Sequence, residues 1–174
     1  MDLKPQLRLR FYGDPCLRTK SIPVEEAGPG ERMLIEAMIE AMHKYEGVGL
    51  AAPQVGINQQ IFVADIGEGP IAVINPEIVE KEGSEVMEEG CLSIPGVLVK
   101  VKRPERIIVR YKNEESQTVE RELSELMARV FQHETDHLHA KLIVDYANLA
   151  EKAKIKKQLK ELEQQQKDTS HVQD

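Results

Sequence analysis

Residues 132–140 of the chain read QHETDHLHA, with two histidines, His133 and His137, four positions apart. Residues at this spacing lie on the same side of an α-helix, one turn above the other. Two such imidazoles can bind one metal ion without distorting the backbone. Glu134 projects about 100° around the helix from His133 and so lies beside that ion rather than on it. The pattern predicts a helix that carries a metal site with an adjacent carboxylate.

The helix that contains this motif is predicted to begin near Ser124 and to turn its histidines toward the interior. Leu126 and Val130 precede His133 by seven and three residues, the spacing of one helical face. HExxH patterns also arise by chance, but two buried imidazoles without partners are unfavourable, and a metal ion satisfies them. Leu126 and Val130 are candidates for an apolar substrate pocket beside the metal, with ordinary core packing as the alternative.

A catalytic site of this type needs a third protein ligand and one open position. Ile143 stands where a metzincin would place its third histidine, so the downstream candidates are Glu151 and Glu161, as in a zincin-like endopeptidase. Upstream, the segment MEEGCLSIPG contains Cys91, whose thiolate suits zinc or ferrous iron. The residues alone leave these three side chains open as the third ligand.

The whole chain fits one globular domain. It has 174 residues, a formal net charge of -7 and two cysteines, which argues against a disulfide framework and against a surface that binds nucleic acid or anionic lipid throughout. The N-terminal decapeptide lacks the apolar segment of a signal peptide, and no apolar run is long enough to span a bilayer. We therefore expect a cytoplasmic protein, with residues 1–168 as one catalytic domain and 169–174 as a disordered tail.

Hydrophobic periodicity predicts strands in the middle of the chain, flanked by separate helices. Alternation or short β-branched runs indicate strands at 59–66, 71–79, 97–112 and 118–122, and helical periodicity indicates helices at 28–47, 124–138 and 146–167. This arrangement is typical of an α+β fold: small mixed or antiparallel sheets around the central HExxH helix, with a C-terminal helix.

Three segments together resemble the signature motifs of the peptide deformylases. They are GVGLAAPQ at 47–54, EGCLS at 89–93 and HETDHL at 133–138, in the order that family has them. The resemblance implies a hydrolase that removes the formyl group from the initiator methionine of nascent chains. It also implies Cys91, His133 and His137 as the metal ligands, a water on the metal as nucleophile, and Glu134 as general base and acid.

The same resemblance implies the remaining site residues, the metal and the partners. The Gln54 side chain and the Leu92 backbone N–H would stabilise the oxyanion, and Gly49 and Val48 would lie along the substrate. Ferrous iron is the expected metal, with Zn(II), Ni(II) or Co(II) as substitutes. The expected partners are formyl-methionyl nascent peptides and the ribosome, with no membrane and no sequence-specific nucleic-acid binding. Ribosome docking would use the basic residues of the last helix: Lys152, Lys154, Lys156, Lys157 and Lys160.

Three positions depart from the family pattern: Leu98 replaces a frequent arginine, Ala140 a glycine and Thr135 an apolar residue. We expect Leu98 to alter how the peptide beyond methionine is held, and Ala140 to require a helix-compatible backbone. A rival from another functional class is a non-catalytic, ribosome-associated protein with a structural metal. Structural zinc sites have four protein ligands, whereas this sequence offers three together with the carboxylate of Glu134.

Overall fold

The computed structural model describes residues 4–171 of the chain, which form an α+β fold as predicted. In chain order the elements are α1 (Pro29–Lys44), β1 (Gly49–Ala51), β2 (Ile61–Ala64), β3 (Ile71–Glu82), β4 (Glu85–Glu89), β5 (Val99–Arg103), β6 (Arg106–Lys112), β7 (Thr118–Ser124), α2 (Glu125–Leu138) and α3 (Leu149–His171). Short 3-10 turns occupy Pro15–Arg18, Ala52–Val55 and Ile143–Tyr146.

The strands form two antiparallel sheets. The larger has the order β1-β2-β3-β6-β7, and the smaller pairs β4 with β5. Strand β1 therefore lies at an edge of the larger sheet, shortly after α1 and within the GVGLAAPQ segment at 47–54. The predicted small sheets are confirmed, and the predicted strand pair at 97–112 corresponds to β5 and β6.

Helix α2 is the central helix, and it packs against the larger sheet. Its Phe131 is fully buried and meets Phe62 of β2 edge to face, with ring centroids 4.9 Å apart. Ala128 on the same face is also fully buried, and its small side chain lets the helix approach the strands closely. Ala128 and Phe131 thus fix one face of α2 in the core. The remainder of the helix, which carries His133 and His137, is therefore held in a defined position.

The end of α2 differs from the expectation at Ala140. This residue has a φ of +61°, in the left-handed region that favours glycine, and not the helix-compatible backbone expected of an alanine. The Lys141 N–H donates to Asp136 O at 2.9 Å and the Ala140 N–H donates to His137 O at 3.2 Å. These two bonds form a Schellman motif, whose geometry places a left-handed residue at this position whatever its side chain.

Two further elements differ from the predicted boundaries. Strand β4 was not predicted, because its sequence EVMEE has little strand propensity and is mostly exposed. Helix α3 extends to His171, so residues 169–171 of the expected tail are helical, and 172–174 lie outside the described residues. Among the described helices none combines the length and the apolar character needed to cross a membrane.

Candidate active site

Three potential metal ligands converge where the smaller sheet meets α2. Cys91 follows β4, and His133 and His137 lie one turn apart on α2. One ligand atom from each residue lies within 4.8 Å of the other two, and Cys91 Sγ lies 3.4 Å from His137 Nε2. Within residues 4–171 this is the one cluster of three or more such side chains, and neither Glu151 nor Glu161 belongs to it. The structure thus brings the upstream candidate, and not the downstream ones, to the histidines.

The cluster fits a divalent transition metal in its donor chemistry. One sulfur and two imidazole nitrogens suit zinc or ferrous iron, and three ligands leave a position open for a small molecule. Two buried polar atoms beside the cluster, Glu134 Oε2 and His137 Nδ1, have no hydrogen-bond partner among the described residues. Buried polar atoms are rarely left unpaired, so these atoms indicate that a further polar group belongs at this site.

Glu134 is the buried carboxylate beside the cluster. Only 4% of its surface is exposed, and this burial raises its pKa to about 7, because the charged form loses its hydration. The carboxylate lies against the backbone of Gly49 at the start of β1. A Cβ atom at Gly49 would lie 2.5 Å from Glu134 Oε1. Gly49 was predicted to make room for the substrate, and the structure shows that its missing side chain makes room for Glu134.

Gly49→Ala is expected to displace the Glu134 carboxylate. It should lower kcat for the deformylation expected from the sequence by roughly 10- to 10²-fold, because small misplacements of reacting groups are costly. The measurement is kcat together with bound metal per protein, and the metal content should not change. Gly30→Ala is the matched control, since a Cβ at Gly30 in α1 meets nothing within 4 Å. Equal kcat values for the two variants would show that the close approach of Gly49 has no role.

The Gln54 amide is fixed beside Cys91. Gln54 Oε1 accepts the Ala51 N–H at 2.9 Å, while Nε2 donates to Ser93 Oγ at 3.1 Å and lies 3.5 Å from Cys91 Sγ. The side chain is buried, so the hydrogen bonds set its orientation and turn its N–H groups toward the cluster. Leu92, adjacent to Cys91, lines the same cleft. Gln54 and Leu92, the two candidate oxyanion donors, therefore both line the cleft that contains Cys91.

A buried charge network, which the sequence did not reveal, orients His133. Glu89 Oε1 lies 2.9 Å from His133 Nδ1, which leaves Nε2 for a metal. The same carboxylate accepts hydrogen bonds from Arg103 at 2.6 Å and 2.9 Å and from Arg129 at 2.7 Å. Burial disfavours the charged carboxylate, but the bonds from Arg103 and His133 outweigh it and lower the pKa of Glu89 to about 2.

The network continues from Arg103 to the segment after α2. Arg103 Nη1 donates to Asp136 Oδ2 at 2.9 Å, and the Tyr146 hydroxyl donates to the same oxygen at 2.6 Å. On the other side, Arg129 donates to the carbonyl oxygens of Val101 and Glu85 at 3.0 Å and 2.9 Å. The smaller sheet, which leads into Cys91, is thereby tied to the helix that carries both histidines.

Glu89→Gln is expected to lower the free energy of unfolding by about 3–5 kcal/mol, because it leaves buried guanidinium groups without their counter-charge. Urea unfolding of the metal-free protein measures this effect without a contribution from metal binding. Glu88→Gln, one position away on an exposed side chain, is the control and should change stability by less than about 0.5 kcal/mol. Similar losses in both variants would contradict a stabilising role for the buried network.

An open cleft of about 720 Å³ leads from the surface to the cluster. The predicted pocket residues Val48, Leu126 and Val130 all line it, but at different depths. Val130 is 5% exposed, whereas Leu126 and Val48 are 47% and 45% exposed. Leu126 was expected on the inward side of its helix. It lies instead at the cleft mouth, because α2 begins only at Glu125 and its first turn extends past the core. Leu98, which was expected to influence how the peptide beyond methionine is held, also lines the cleft, as does Met87, which was not predicted.

Comparison with known proteins gives concordant results. The family model for polypeptide deformylase matches residues 7–153. A peptide deformylase from Thermotoga sp. strain RQ2 is 50% identical over 156 residues, which cover 89% of this chain and 95% of the relative. The crystal structure of peptide deformylase from Thermotoga maritima is similar with a TM-score of 0.81 and 52% identity, over 83% of this chain and 99% of that chain. Arabidopsis thaliana peptide deformylase 1B gives a TM-score of 0.89 and 33% identity, over 95% and 94%.

Proposed function

The chain belongs to the polypeptide deformylase family, and from that membership together with the geometry of the cleft we propose that it removes the formyl group from the initiator methionine of nascent polypeptides. The observation that carries the proposal is the convergence of Cys91, His133 and His137 beside a buried carboxylate and a fixed side-chain amide. This combination provides a metal site, a proton acceptor and an oxyanion donor within one cleft.

Cys91, His133 and His137 would hold the metal, with Glu89 keeping the His133 ring in the required tautomer. A divalent metal at this site supplies Lewis-acid chemistry, which activates water near neutral pH and polarises a carbonyl group. We expect Fe(II) in the cell, with Zn(II), Ni(II) or Co(II) as substitutes that fit the same ligands.

Glu134 would handle the protons. Its unpaired Oε2 accepts a proton from the attacking water and then delivers it to the departing amine of methionine. Negative charge that develops on the formyl oxygen would be stabilised by Gln54 Nε2 and by the Leu92 backbone N–H. The hydrogen bonds with Ala51 and Ser93 fix the plane of the Gln54 amide, and its second N–H, now directed at Cys91 Sγ 3.5 Å away, is the one that would donate to the oxygen.

The methionine side chain would occupy the inner part of the cleft against Val130, with Leu126 and Val48 nearer the opening and Gly49 along the substrate. The carbonyl carbon of a formyl group bears a hydrogen where that of an acetyl group bears a methyl group, so we expect the smaller formyl group to be preferred.

The test compares formyl-Met and acetyl-Met versions of one short peptide, with amine release measured on metal-loaded protein. Release from the formyl peptide alone supports the proposal. Release from neither peptide, by protein shown to contain metal, would reject it.

We also propose that residues 1–168 act as one catalytic domain in the cytoplasm and that α3 docks on the ribosome. The lysines of α3 lie mostly on its exposed side, and Lys156, Lys157 and Lys160 border one shallow groove there. Ribosomal RNA offers a dense array of phosphates, to which clustered lysines bind in a salt-dependent way.

Reversal of Lys156, Lys157 and Lys160 to glutamate is expected to abolish co-sedimentation with ribosomes at low salt and to leave kcat/KM for short peptides unchanged. The control is the same reversal at Lys20, Lys81 and Lys102, which are exposed elsewhere and produce an equal change in net charge. If both triple variants lose binding equally, net charge and not the α3 face governs the interaction.

A further inference from the structure

One side chain of the buried charge network comes from outside both the smaller sheet and α2. Tyr146 ends the 3-10 turn Ile143–Tyr146, shortly before α3 begins. Its hydroxyl donates to Asp136 Oδ2 at 2.6 Å and accepts a hydrogen bond from Arg103 Nη1 at 3.3 Å. The hydroxyl therefore contacts a carboxylate and a guanidinium that also bind each other, at 2.9 Å.

The neighbours of Tyr146 fix both its ring and its hydroxyl. Lys141 Nζ lies 4.0 Å from the ring centroid and Arg103 Cζ lies 5.0 Å from it, distances at which an aromatic face attracts a cation. Burial and the hydrogen bond with Asp136 raise the pKa of Tyr146, so the phenol keeps its proton and remains a donor. The direction of this donor is therefore set by side chains on three sides.

A continuous path of hydrogen bonds leads from the hydroxyl to a candidate metal ligand. Beyond Asp136, Arg103 binds the two oxygens of Glu89 at 2.6 Å and 2.9 Å, and Glu89 Oε1 lies 2.9 Å from His133 Nδ1. Arg103 and Glu89 are only 3% and 7% exposed, so water competes little for these bonds. Because a guanidinium is planar and rigid, the bonds at its Nη1 also fix the direction of the Nε and Nη2 atoms that meet Glu89.

Asp136 is the most accessible carboxylate on this path. Its side chain is 22% exposed, and Tyr146 and Arg103 are the two donors that it has among residues 4–171. Without the short bond from Tyr146, the carboxylate is free to turn toward water and to loosen its hold on Arg103. The hydroxyl of Tyr146 thus stabilises the one point of the path that solvent reaches.

On the premise of the proposed metal site, we infer that Tyr146 is a positioning residue that slows the release of the bound metal. It acts on the ring of His133 through Asp136, Arg103 and Glu89. Loss of a group that binds a metal ligand directly costs about 10- to 100-fold in metal affinity. Because Tyr146 acts through three intermediate side chains, its loss should cost less, about 3- to 10-fold.

The test uses Co(II) as the metal and no substrate. It measures the rate at which loaded protein transfers Co(II) to an excess of chelator, together with the visible absorption spectrum of the bound ion. Tyr146→Phe, which removes the hydroxyl and keeps the ring, should release Co(II) about 3- to 10-fold faster and shift the absorption bands. Tyr111→Phe is the matched control, because Tyr111 is a buried tyrosine that packs against Phe131 outside the network, and its release rate should equal that of wild type.

A double-mutant cycle separates positioning from a general loss of stability. In Asp136→Ala protein, Tyr146→Phe should have no further effect on release, because the carboxylate through which the hydroxyl acts is missing. Ser116→Ala removes a hydrogen bond elsewhere in the molecule, the one that Ser116 Oγ accepts from the Ala27 N–H at 3.0 Å. This variant should release Co(II) at the wild-type rate.

The outcomes separate this inference from the proposed function. Equal release rates and spectra for wild type and Tyr146→Phe overturn the inference and leave the metal site and the deformylase function intact. The same acceleration in Tyr111→Phe or Ser116→Ala, or an undiminished effect of Tyr146→Phe in Asp136→Ala protein, makes the role structural and also overturns it. A Tyr146→Phe protein that fails to fold has the same consequence. Absence of Co(II) binding by the wild-type protein contradicts the proposed metal site itself.

Discussion

Glu134→Gln is expected to lower kcat for formate release by roughly 10²- to 10⁴-fold, the usual contribution of a positioned acid–base group. Glutamine has nearly the same shape as glutamate and fits the space against Gly49, but it accepts no proton at the pH of the reaction. Glu134 Oε2 has no partner among the described residues, so the substitution breaks no ion pair. Because Glu134 is not one of the three converging ligands, the variant should bind metal normally.

The control for this variant is Glu125→Gln, an exposed carboxylate at the start of the same helix. Comparison of kcat, KM and metal content for the two variants with wild type isolates the proton-transfer role. An acid–base role predicts a loss in kcat with KM and metal content preserved. Wild-type kcat in the metal-loaded Glu134→Gln protein would remove Glu134 from the mechanism.

Cys91→Ala is expected to eliminate stable metal binding and, with it, all measurable deformylation. Alanine offers no ligand atom, and the two remaining imidazoles make a weak site for a divalent metal compared with three converging ligands. Metal content by elemental analysis after gel filtration measures the effect directly. Thermal unfolding with and without added metal provides a second readout, because binding to the folded state alone stabilises it.

The second cysteine supplies the control for this experiment. Cys16 is partly buried, and its thiol donates a hydrogen bond to the Pro53 carbonyl oxygen at 3.2 Å. It does not belong to the ligand cluster. Cys16→Ala should retain both metal and activity.

The zincin-like endopeptidase alternative predicts the opposite result for Cys91→Ala, with metal retained in that variant and lost in Glu151→Ala or Glu161→Ala. Glu151 accepts the Asn148 N–H at 2.9 Å, at the start of α3, which is a capping role.

The elements with strong periodicity could be predicted from the sequence. The apolar stripes of α1 and α2 and the alternating residues of β5 and β6 correspond to the observed buried faces. The metal cluster was predicted at residue level only once three separated motifs were considered together. HExxH fixes the distance between two ligands because they share a helix, whereas the position of Cys91 depends on strand pairing far from that helix in sequence.

The features that the sequence did not reveal depend on tertiary context. A charged residue such as Glu89 has the same appearance in sequence whether it is exposed or buried among two arginines and a histidine. Strand β4 has a polar sequence and is held by its pairing with β5 and by Arg129. The left-handed Ala140 follows from the hydrogen bonds that end α2, which override the preference of its side chain.

The most direct test of the catalytic metal centre is formate release from formyl-Met-Leu-Ser. The protein is stripped of metal with a chelator and reloaded, without oxygen, with one equivalent of Fe(II), Ni(II) or Zn(II). A catalytic metal at this site predicts no formate from the stripped protein and restored release after reloading, with Fe(II) at least as active as Zn(II). Full activity in the stripped protein, or no activity after reloading of protein shown to contain one metal ion, would contradict the assignment of Cys91, His133 and His137 as a catalytic metal centre.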